Sequence, residues 1–350
     1  MRGRRAGVLG GVAGAVAAGV AAGVALERLA VGRDRLRPDP EAREPYGKLP
    51  GRAFEVTLPD GVRLHCEETG GGPLTVVFVH GFALNSVSWH YQRRDLADVA
   101  RLVFYDQRCH GRSSRGHDED CTLRQLGLDL AHLLDEVAPR GPVVLAGHSM
   151  GGMTIMALAK ERPELFGPRV VAVALLATSA GGVAEALVPI PQRAADLLTS
   201  RVLPRVHRVA GASVFARGRR AGSDLNFLFT RSWGFGDNPS PAQVELVERM
   251  VSSTPLDVLT AFVPTFVEHD LYGGLPALAD VPVLVVGGTR DKVTKFGHSE
   301  EIARRLPHAQ FVALTGAGHL LIVERAPLVN LHLRAFLRRA ARATAGAKGA

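Results

Sequence analysis

The feature that most constrains this 350-residue chain is an alternation of short apolar runs with helical patterns. Apolar runs of this length are typical of strands buried on both faces of a parallel sheet. Helical patterns separate them, so we expect an α/β fold, a mostly parallel doubly wound sheet with helices on both faces. The predicted strands are 74–79, 102–105, 143–146, 170–177, 283–286 and 310–314.

Other elements follow from local patterns. Residues 122–137 carry apolar side chains on one helical face, and Thr122 and Gln125 have the spacing of a capping box. Alternating residues flank Pro59-Asp60-Gly61, which predicts a hairpin of 53–58 with 62–67. Further helices are predicted over 150–161, near 299–306 and through 331–337.

The strand rhythm stops between residues 180 and 275, where helical and loop segments are rich in Arg and Pro. This interruption predicts a helical cap inserted before the seventh strand. The predicted organisation is an N-terminal anchor or leader 1–31, a linker 32–51, a core 52–179 and 276–342, a cap 180–275 and a basic tail 343–350.

Residues 6–26 carry no charge and are long enough to span a bilayer as a helix. Few of them are strongly apolar, so insertion would be marginal. A single-pass membrane anchor is the favoured interpretation. A cleaved signal peptide and a soluble leader stay open, and with them a secreted or cytoplasmic location.

The net charge of +8 is concentrated at the two ends of the chain. Residues 1–40 hold seven Arg and three acidic residues, and 331–350 hold four Arg and one Lys, which leaves −1 for 41–330. A nucleic-acid-binding protein needs a basic face on its body, so nucleic acid is not an expected partner. Basic ends beside an apolar segment suit a membrane surface better.

Three cysteines are too few for a disulfide framework or a Cys-based zinc site. The histidines at 298, 308 and 319 do not have the spacing of metal ligands. We therefore expect neither a metal nor another cofactor.

The sharpest motif is Gly147-His148-Ser149-Met150-Gly151, which lies between a predicted buried strand and a predicted helix. This context is the one required of a G-x-S-x-G nucleophile elbow, where a strained turn projects the serine hydroxyl. Small residues must flank the serine so that neighbouring backbones do not clash. The motif predicts that Ser149 is a nucleophile.

A serine hydroxyl needs a base, which in turn needs an orienting acid. In a doubly wound sheet both come from loops at the carboxyl ends of later strands, in the order Ser, acid, His. Asp291 follows the strand 283–286, and His319 follows the strand 310–314. We predict Asp291 as the acid and His319 as the base.

Acyl transfer also needs hydrogen-bond donors for a developing oxyanion. The backbone N–H of Met150, directly after the nucleophile, is one predicted donor. The other is the N–H of Phe82, in the loop after the strand 74–79, where Gly81 allows close approach. The nearby His80 is expected to be a structural hydrogen-bonding residue.

These motifs together resemble the α/β-hydrolase family, over roughly residues 52–340. The branch implied is that of esterases, cofactor-free peroxidases and aminopeptidases with a helical cap. The resemblance implies the same roles for Ser149, His319 and Asp291, and Ser149 excludes relatives with Asp at the elbow, such as epoxide hydrolases. The matching segments are His80-Gly81-Phe82, Tyr105 to Ser113, Gly147 to Gly151, Asp291 and Gly318-His319.

Position 109 departs from this pattern, because the family usually has Gly there and this chain has Cys109. If the position requires a positive φ, a cysteine is strained by about 1 kcal/mol or more. A redox role for this thiol is an alternative use of the residue.

The expected activity is hydrolysis of carboxylic esters, hydrophobic or lipid-like small molecules, through an acyl-enzyme on Ser149. Trp89, Trp233 and Phe235 are candidates for lining the substrate pocket. A cofactor-free peroxidase or perhydrolase, an amidase or aminopeptidase, and a C–C hydrolase would use the same triad. A non-catalytic ligand-binding receptor of the same fold is the alternative from another class. The sequence leaves the oligomeric state open.

Overall fold

A computed structural model describes Gly32, residues 37–183 and residues 223–347. Their strands are β1 Arg52–Thr57, β2 Arg63–Gly70, β3 Thr75–Val79, β4 Arg101–Tyr105, β5 Val143–His148, β6 Val170–Leu176, β7 Val283–Gly288 and β8 Gln310–Leu314. These strands form a sheet with the spatial order β1-β2-β4-β3-β5-β6-β7-β8.

The sheet has an antiparallel edge and a parallel remainder. β2 pairs antiparallel with β1 and with β4, and the remaining neighbours pair in parallel. The predicted hairpin closes where the Leu58 N–H donates to the Val62 carbonyl over 2.8 Å. The ends of each predicted strand lie within three residues of those of an observed one, so the predicted α/β fold is confirmed.

Helices cover both faces of the sheet. They are α1 His90–Leu96, α2 Leu123–Val137, α3 Met150–Glu161, α4 Ser223–Gly234, α5 Pro241–Ser253, α6 Leu256–Ala261, α7 Val263–Glu268, α8 Phe296–Arg305, α9 Leu321–Glu324 and α10 Ala326–Ala347. Because both faces are covered, every residue of β3, β5 and β7 is buried.

The side chains of β3 alternate between two apolar cores, as the period of a strand requires. Val77 and Val79 enter the core that also holds residues of α2, α3 and α8. Val76 and Phe78 enter the core that also holds residues of α1, α5 and α10. The central strands are therefore fixed from both sides.

Helix α2 begins where the sequence predicts but with half of the expected cap. The Thr122 hydroxyl accepts from the Gln125 N–H at 3.1 Å, whereas the Gln125 side chain donates to Asp129 instead. Gly127 lets α2 approach α3 closely, because a Cβ there would lie 2.8 Å from the Leu158 nitrogen. This contact fixes the helix that follows the elbow.

The described residues between β6 and β7 include α4, α5, α6 and α7, which we call the inserted helices. They lie within the segment 180–275 that the sequence assigns to a cap. Residues 184–222 of that segment lie outside the described residues.

The described part of the predicted linker, residues 37–51, packs against the body through specific bonds. The Tyr91 hydroxyl donates to Glu41 at 2.8 Å, and Glu44 lies 2.8 Å from the His90 ring nitrogen. The Ala242 N–H donates to Asp39, also at 2.8 Å. This segment therefore contacts both α1 and the inserted helices.

The predicted N-terminal anchor, residues 1–31, lies outside the described residues. Within 37–183 and 223–347, no single helix has both the length and the apolar character needed to cross a membrane. In the same described ranges, α5 taken together with α6 and α7 meets those criteria, as a pair of segments bent by 83°.

Cys109 occupies a left-handed backbone conformation with a φ of 66°. The residue lies in the loop after β4 and is 7% exposed. Position 109 therefore has the positive φ at which a cysteine is expected to be strained, and glycine would avoid this strain.

We expect Cys109→Gly to be as stable as Cys109→Ala or more stable, by up to about 1 kcal/mol, because only glycine relaxes the positive φ. Chemical denaturation of the two variants measures the difference. Cys121, at a φ of −76°, is the matched control, where Ala should exceed Gly. The same order at both positions would contradict this account of Cys109.

Candidate active site

Ser149 lies at the sharp turn between β5 and α3, with φ 53° and ψ −120°. This conformation is costly for a residue with a side chain, on the order of 1–3 kcal/mol. The turn is held from both sides, because the Ser149 N–H donates to the Leu176 carbonyl at 3.0 Å and the Thr178 hydroxyl donates to the Ser149 carbonyl at 2.7 Å. The predicted elbow therefore has the strained geometry that projects a serine hydroxyl.

The two glycines of the motif are required by close backbone contacts. A Cβ on Gly151 would lie 1.9 Å from the Val79 carbonyl oxygen, and one on Gly147 would lie 2.5 Å from Gly151 itself. Both distances are far below contact distance. The spacing of the motif is thus a steric requirement of seating α3 against β3 and β5.

The structure brings together the three residues predicted as a catalytic triad. The Ser149 Oγ lies 2.9 Å from His319 Nε2, and His319 Nδ1 lies 2.9 Å from Asp291 Oδ2. An ionised carboxylate only accepts hydrogen bonds, so Nδ1 carries the proton and Nε2 is free to accept from the serine hydroxyl. The orientation is that of a nucleophile, a base and an orienting acid.

Asp291 is almost completely enclosed and strongly hydrogen-bonded. Its carboxylate accepts from the Val293 and Thr294 N–H groups at 2.8 and 2.9 Å, and from the Thr294 hydroxyl at 2.8 Å. Burial alone would raise the pKa of Asp291, but attraction to His319 and these hydrogen bonds outweigh it and lower the pKa. The acid is therefore ionised at neutral pH.

His148, the second residue of the motif, forms a hydrogen bond with the backbone of His319. Its Nε2–H donates to the His319 carbonyl at 2.9 Å, and the two ring centroids are 4.9 Å apart. Burial and the neighbouring His319 lower the pKa of His148 to about 3, so its ring is neutral. No local pattern in the sequence indicates this contact, because it joins residues 171 positions apart.

The predicted oxyanion donors, Phe82 and Met150, lie on the two segments that border the serine. A Cβ on Gly81 would lie 3.2 Å from the Ser149 Cβ, which places the loop after β3 directly against Ser149. Within the described ranges, neither the Phe82 nor the Met150 N–H donates to an acceptor of the chain. Both donors are thus available to an oxygen beside Ser149.

His80 holds this loop in place, as predicted. Its Nε2 accepts from the Gln107 N–H at 2.9 Å, which leaves Nδ1–H to donate to the Gly81 carbonyl at 2.8 Å. The ring is completely buried, and burial lowers the pKa of His80. A neutral His80 therefore fixes the backbone that carries the Phe82 N–H.

Glu324 of α9 is a buried carboxylate that the sequence analysis did not single out. Its Oε2 accepts from the Gly318 N–H at 2.8 Å and from the Gly236 N–H at 3.0 Å. Burial raises the pKa of Glu324 despite these bonds. Glu324 thus joins the loop of His319 to the end of the inserted helix α4.

The three candidate pocket residues differ in exposure. Trp89 is 0% exposed, with its ring centroid 5.0 Å from that of Phe78, and Phe235 is 1% exposed. These two pack in the core and present no surface to a substrate, so their assignment to the pocket is corrected. Trp233 is 38% exposed and stacks on Phe229, with ring centroids 5.8 Å apart.

A family model described as the alpha/beta hydrolase family matches residues 76–330. Because this match covers more than half of the chain, the protein belongs to the alpha/beta hydrolase family.

Individual relatives agree with the family. A solved structure of a thermophilic esterase from Thermogutta terrifontis aligns with a TM-score of 0.66 and 28% identity, covering 83% of this chain and 99% of that chain. The curated 3-oxoadipate enol-lactonase 2 of Acinetobacter baylyi is 26% identical over 265 residues, which are 75% of this chain and 88% of the relative.

A third relative is matched only in part. It is the dihydrolipoyllysine-residue acetyltransferase component of an acetoin cleaving system from Cupriavidus necator, 36% identical over 124 residues and 35% of this chain. The chain spans 32% of that relative's length.

We expect Glu324→Gln to lower kcat by about tenfold with KM changed less than twofold, because a displaced His319 slows chemistry more than binding. The glutamine would place an N–H₂ group where Oε1 now has no hydrogen-bond partner among the described residues and lies 3.9 Å from Arg325 Nη2. Steady-state kinetics on a chromogenic ester, with circular dichroism to verify folding, measure the effect.

The exposed Glu300 of α8 supplies the matched control, and Glu300→Gln should behave as wild type. A folded Glu324→Gln protein with an unchanged kcat would contradict the positioning role of Glu324.

Proposed function

We propose that the protein hydrolyses carboxylic esters of small, apolar molecules through an acyl-enzyme on Ser149. The observation that carries this proposal is the hydrogen-bonded series Ser149, His319 and Asp291, with 2.9 Å at each step, on a strained elbow. The esterase from Thermogutta terrifontis supports it at the level of a relative, and so does the enol-lactonase, since a lactone is a cyclic ester.

Acylation begins when the Ser149 Oγ attacks the ester carbonyl carbon and His319 Nε2 takes the hydroxyl proton. The carbonyl oxygen becomes an oxyanion and accepts from the N–H groups of Phe82 and Met150. The tetrahedral intermediate then collapses, the C–O bond to the alcohol breaks, and His319 returns the proton to the leaving alcohol.

Deacylation repeats these steps with water as the nucleophile. His319 removes a proton from the water, whose oxygen attacks the acyl carbon and displaces the Ser149 oxygen. The acid product leaves, and Ser149 regains its proton. The ionised Asp291 stabilises the His319 imidazolium that forms in both half-reactions.

We further propose that residues 180–275 act as a cap that borders the substrate site. The described residues of this segment contact the candidate active site at two points. A Cβ on Gly236 would lie 2.0 Å from the Gly316 carbonyl, beside the His319 loop. The rings of Phe262 and Phe266 lie 5.8 and 5.0 Å from that of Phe82. Phe262 and Phe266 are buried, whereas Phe82 is half-buried, and its apolar ring beside a predicted oxyanion donor favours a hydrophobic acyl or alcohol group.

The test is a panel of p-nitrophenyl esters of increasing acyl length, with Ser149→Ala and His319→Ala as variants. We expect turnover that favours apolar acyl groups, and a loss in kcat of about 10⁴-fold or more in either variant, because both groups act in the same step. His132→Ala, at a half-buried histidine of α2, is the control and should retain activity.

Turnover retained by a folded Ser149→Ala protein would contradict the proposal. Activity confined to amides, to C–C bonds or to peroxide-dependent halogenation, with no ester turnover, would replace it with another reaction of the same triad.

A further inference from the structure

Two of the three cysteines face each other inside the fold. The Sγ atoms of Cys109 and Cys121 are 3.8 Å apart, and the residues are 7% and 2% exposed. Cys66 makes a different contact, because its Sγ–H donates to the Leu64 carbonyl at 3.6 Å. The chain therefore holds one thiol pair and one separate thiol as an internal reference.

The surroundings of the pair favour a thiolate on Cys109. The hydrogen bond from the Cys121 thiol lowers the pKa of Cys109 more than burial raises it, and the positive charges of Arg108 and Arg115 lower it further. The same bond raises the pKa of Cys121, which keeps its proton. The Cys109 sulfur is thus suited to attack an oxidant first, and Cys121 supplies the thiol that can react with the oxidised Cys109.

Cys121 borders a surface cavity of about 460 Å³ between the start of α2 and the helix α7. Thr265 and His269 contribute to the opposite wall of this cavity. A reagent of the size of hydrogen peroxide can therefore reach the cavity wall that Cys121 forms, and Cys109, whose sulfur lies 3.8 Å further in, keeps 7% of its surface exposed.

We propose that Cys109 and Cys121 form a reversible dithiol–disulfide site that a hydroperoxide oxidises in the folded protein. The sulfurs must approach from 3.8 Å to a bond length of about 2.0 Å. Both lie in irregular segments, the loop after β4 and the residue that precedes the cap of α2, where such a movement requires no broken strand pairing.

The reaction balances with hydrogen peroxide as the oxidant. The Cys109 thiolate attacks one peroxide oxygen, the O–O bond breaks, and a sulfenic acid and hydroxide form. The Cys121 sulfur then attacks the sulfenic sulfur, the S–O bond breaks, the disulfide forms and the oxygen leaves as water. Each sulfur is oxidised by one electron, the peroxide is reduced by two, and the two thiol protons end in two water molecules.

The bond would close the segment 109–121, which is held to the inserted helices by one contact within it and by another just after it. Arg115, within the closed segment, pairs with Asp257 of α6. The Leu123 N–H at the start of α2 donates to the Thr265 hydroxyl at 3.0 Å. Because these contacts already order the segment, disulfide formation constrains mainly the unfolded chain, and oxidation should raise the melting temperature by a few degrees.

The test treats the full folded chain with graded hydrogen peroxide, alkylates the remaining thiols, and maps peptides after trypsin without reductant. Arg108, Arg112 and Arg115 place each cysteine on a separate peptide. We expect one disulfide that joins the peptides of Cys109 and Cys121, an alkylated Cys66, and full reversal by dithiothreitol. Peptides are read rather than whole-chain mass, because peroxide also adds oxygen to methionine.

Three variants make the result specific. Cys66→Ala should form the same disulfide. Cys121→Ala should instead hold a sulfenic acid on Cys109 that dimedone captures, because the second thiol is gone. It should need more peroxide than the wild type, because the hydrogen bond that lowers the pKa of Cys109 is lost as well. Cys109→Ala should leave Cys66 and Cys121 alkylated, and Cys109→Gly serves the same purpose if the alanine variant does not fold.

Four outcomes would overturn the proposal. The first is three alkylated cysteines in the folded wild type at peroxide concentrations that capture Cys109 as a dimedone adduct in Cys121→Ala, and the second is no oxidation of cysteine in either protein. The third is a disulfide that involves Cys66, and the fourth is a disulfide that appears only after denaturation.

Discussion

The site depends on the backbone of Ser149, which must hold a positive φ at the end of a buried strand. Glycine at 147 and 151 makes this possible, because any side chain there would collide with β3 or with α3 itself. The cost of the strained residue is on the order of 1–3 kcal/mol and is offset by the packing of the sheet around it. A serine held in this way presents its hydroxyl without a backbone rearrangement.

The second dependence is on the parallel sheet. β5, β7 and β8 end at the same edge, so the loops after them deliver Ser149, Asp291 and His319 to one place although they are far apart in the chain. Buried groups then fix the orientation of the base: His148 binds its carbonyl, and Glu324 binds the N–H of Gly318. The rigid strands thus determine where the three side chains lie, and these hydrogen bonds determine how the backbone of His319 is oriented.

The sequence predicted what is governed by local pattern. Buried strands can be recognised in the sequence as apolar runs. The bounds of α3 follow from the elbow before it and from Pro163 after it. Side chains whose roles arise from distant contacts carry no such signal. In the sequence, Glu324 is an ordinary acidic residue of a helix, and only the fold brings the N–H groups of Gly318 and Gly236 to its carboxylate. No sequence pattern predicts the packing of residues 37–51 on α1 either.

Trp89 shows the opposite failure. An aromatic residue soon after the oxyanion loop suggests a pocket wall, but the turn that carries it directs its ring beneath the sheet onto Phe78. Cys109 falls between the two cases: the family pattern identified a strained position, and only the fold brought Cys121 to its sulfur. The sequence analysis thus identified the side chains that meet at the candidate site better than the contacts that surround them.

The most direct test of the central claim is the reaction of the full chain with a fluorophosphonate, read by intact mass, with Ser149→Ala alongside. An activated serine attacks the phosphorus and keeps the adduct, whereas an unactivated hydroxyl does not react. The account predicts a single adduct on the wild type, mapped to Ser149, and none on the variant. A folded wild type that stays unlabelled, or an adduct that persists in Ser149→Ala, would contradict the assignment of Ser149 as the nucleophile.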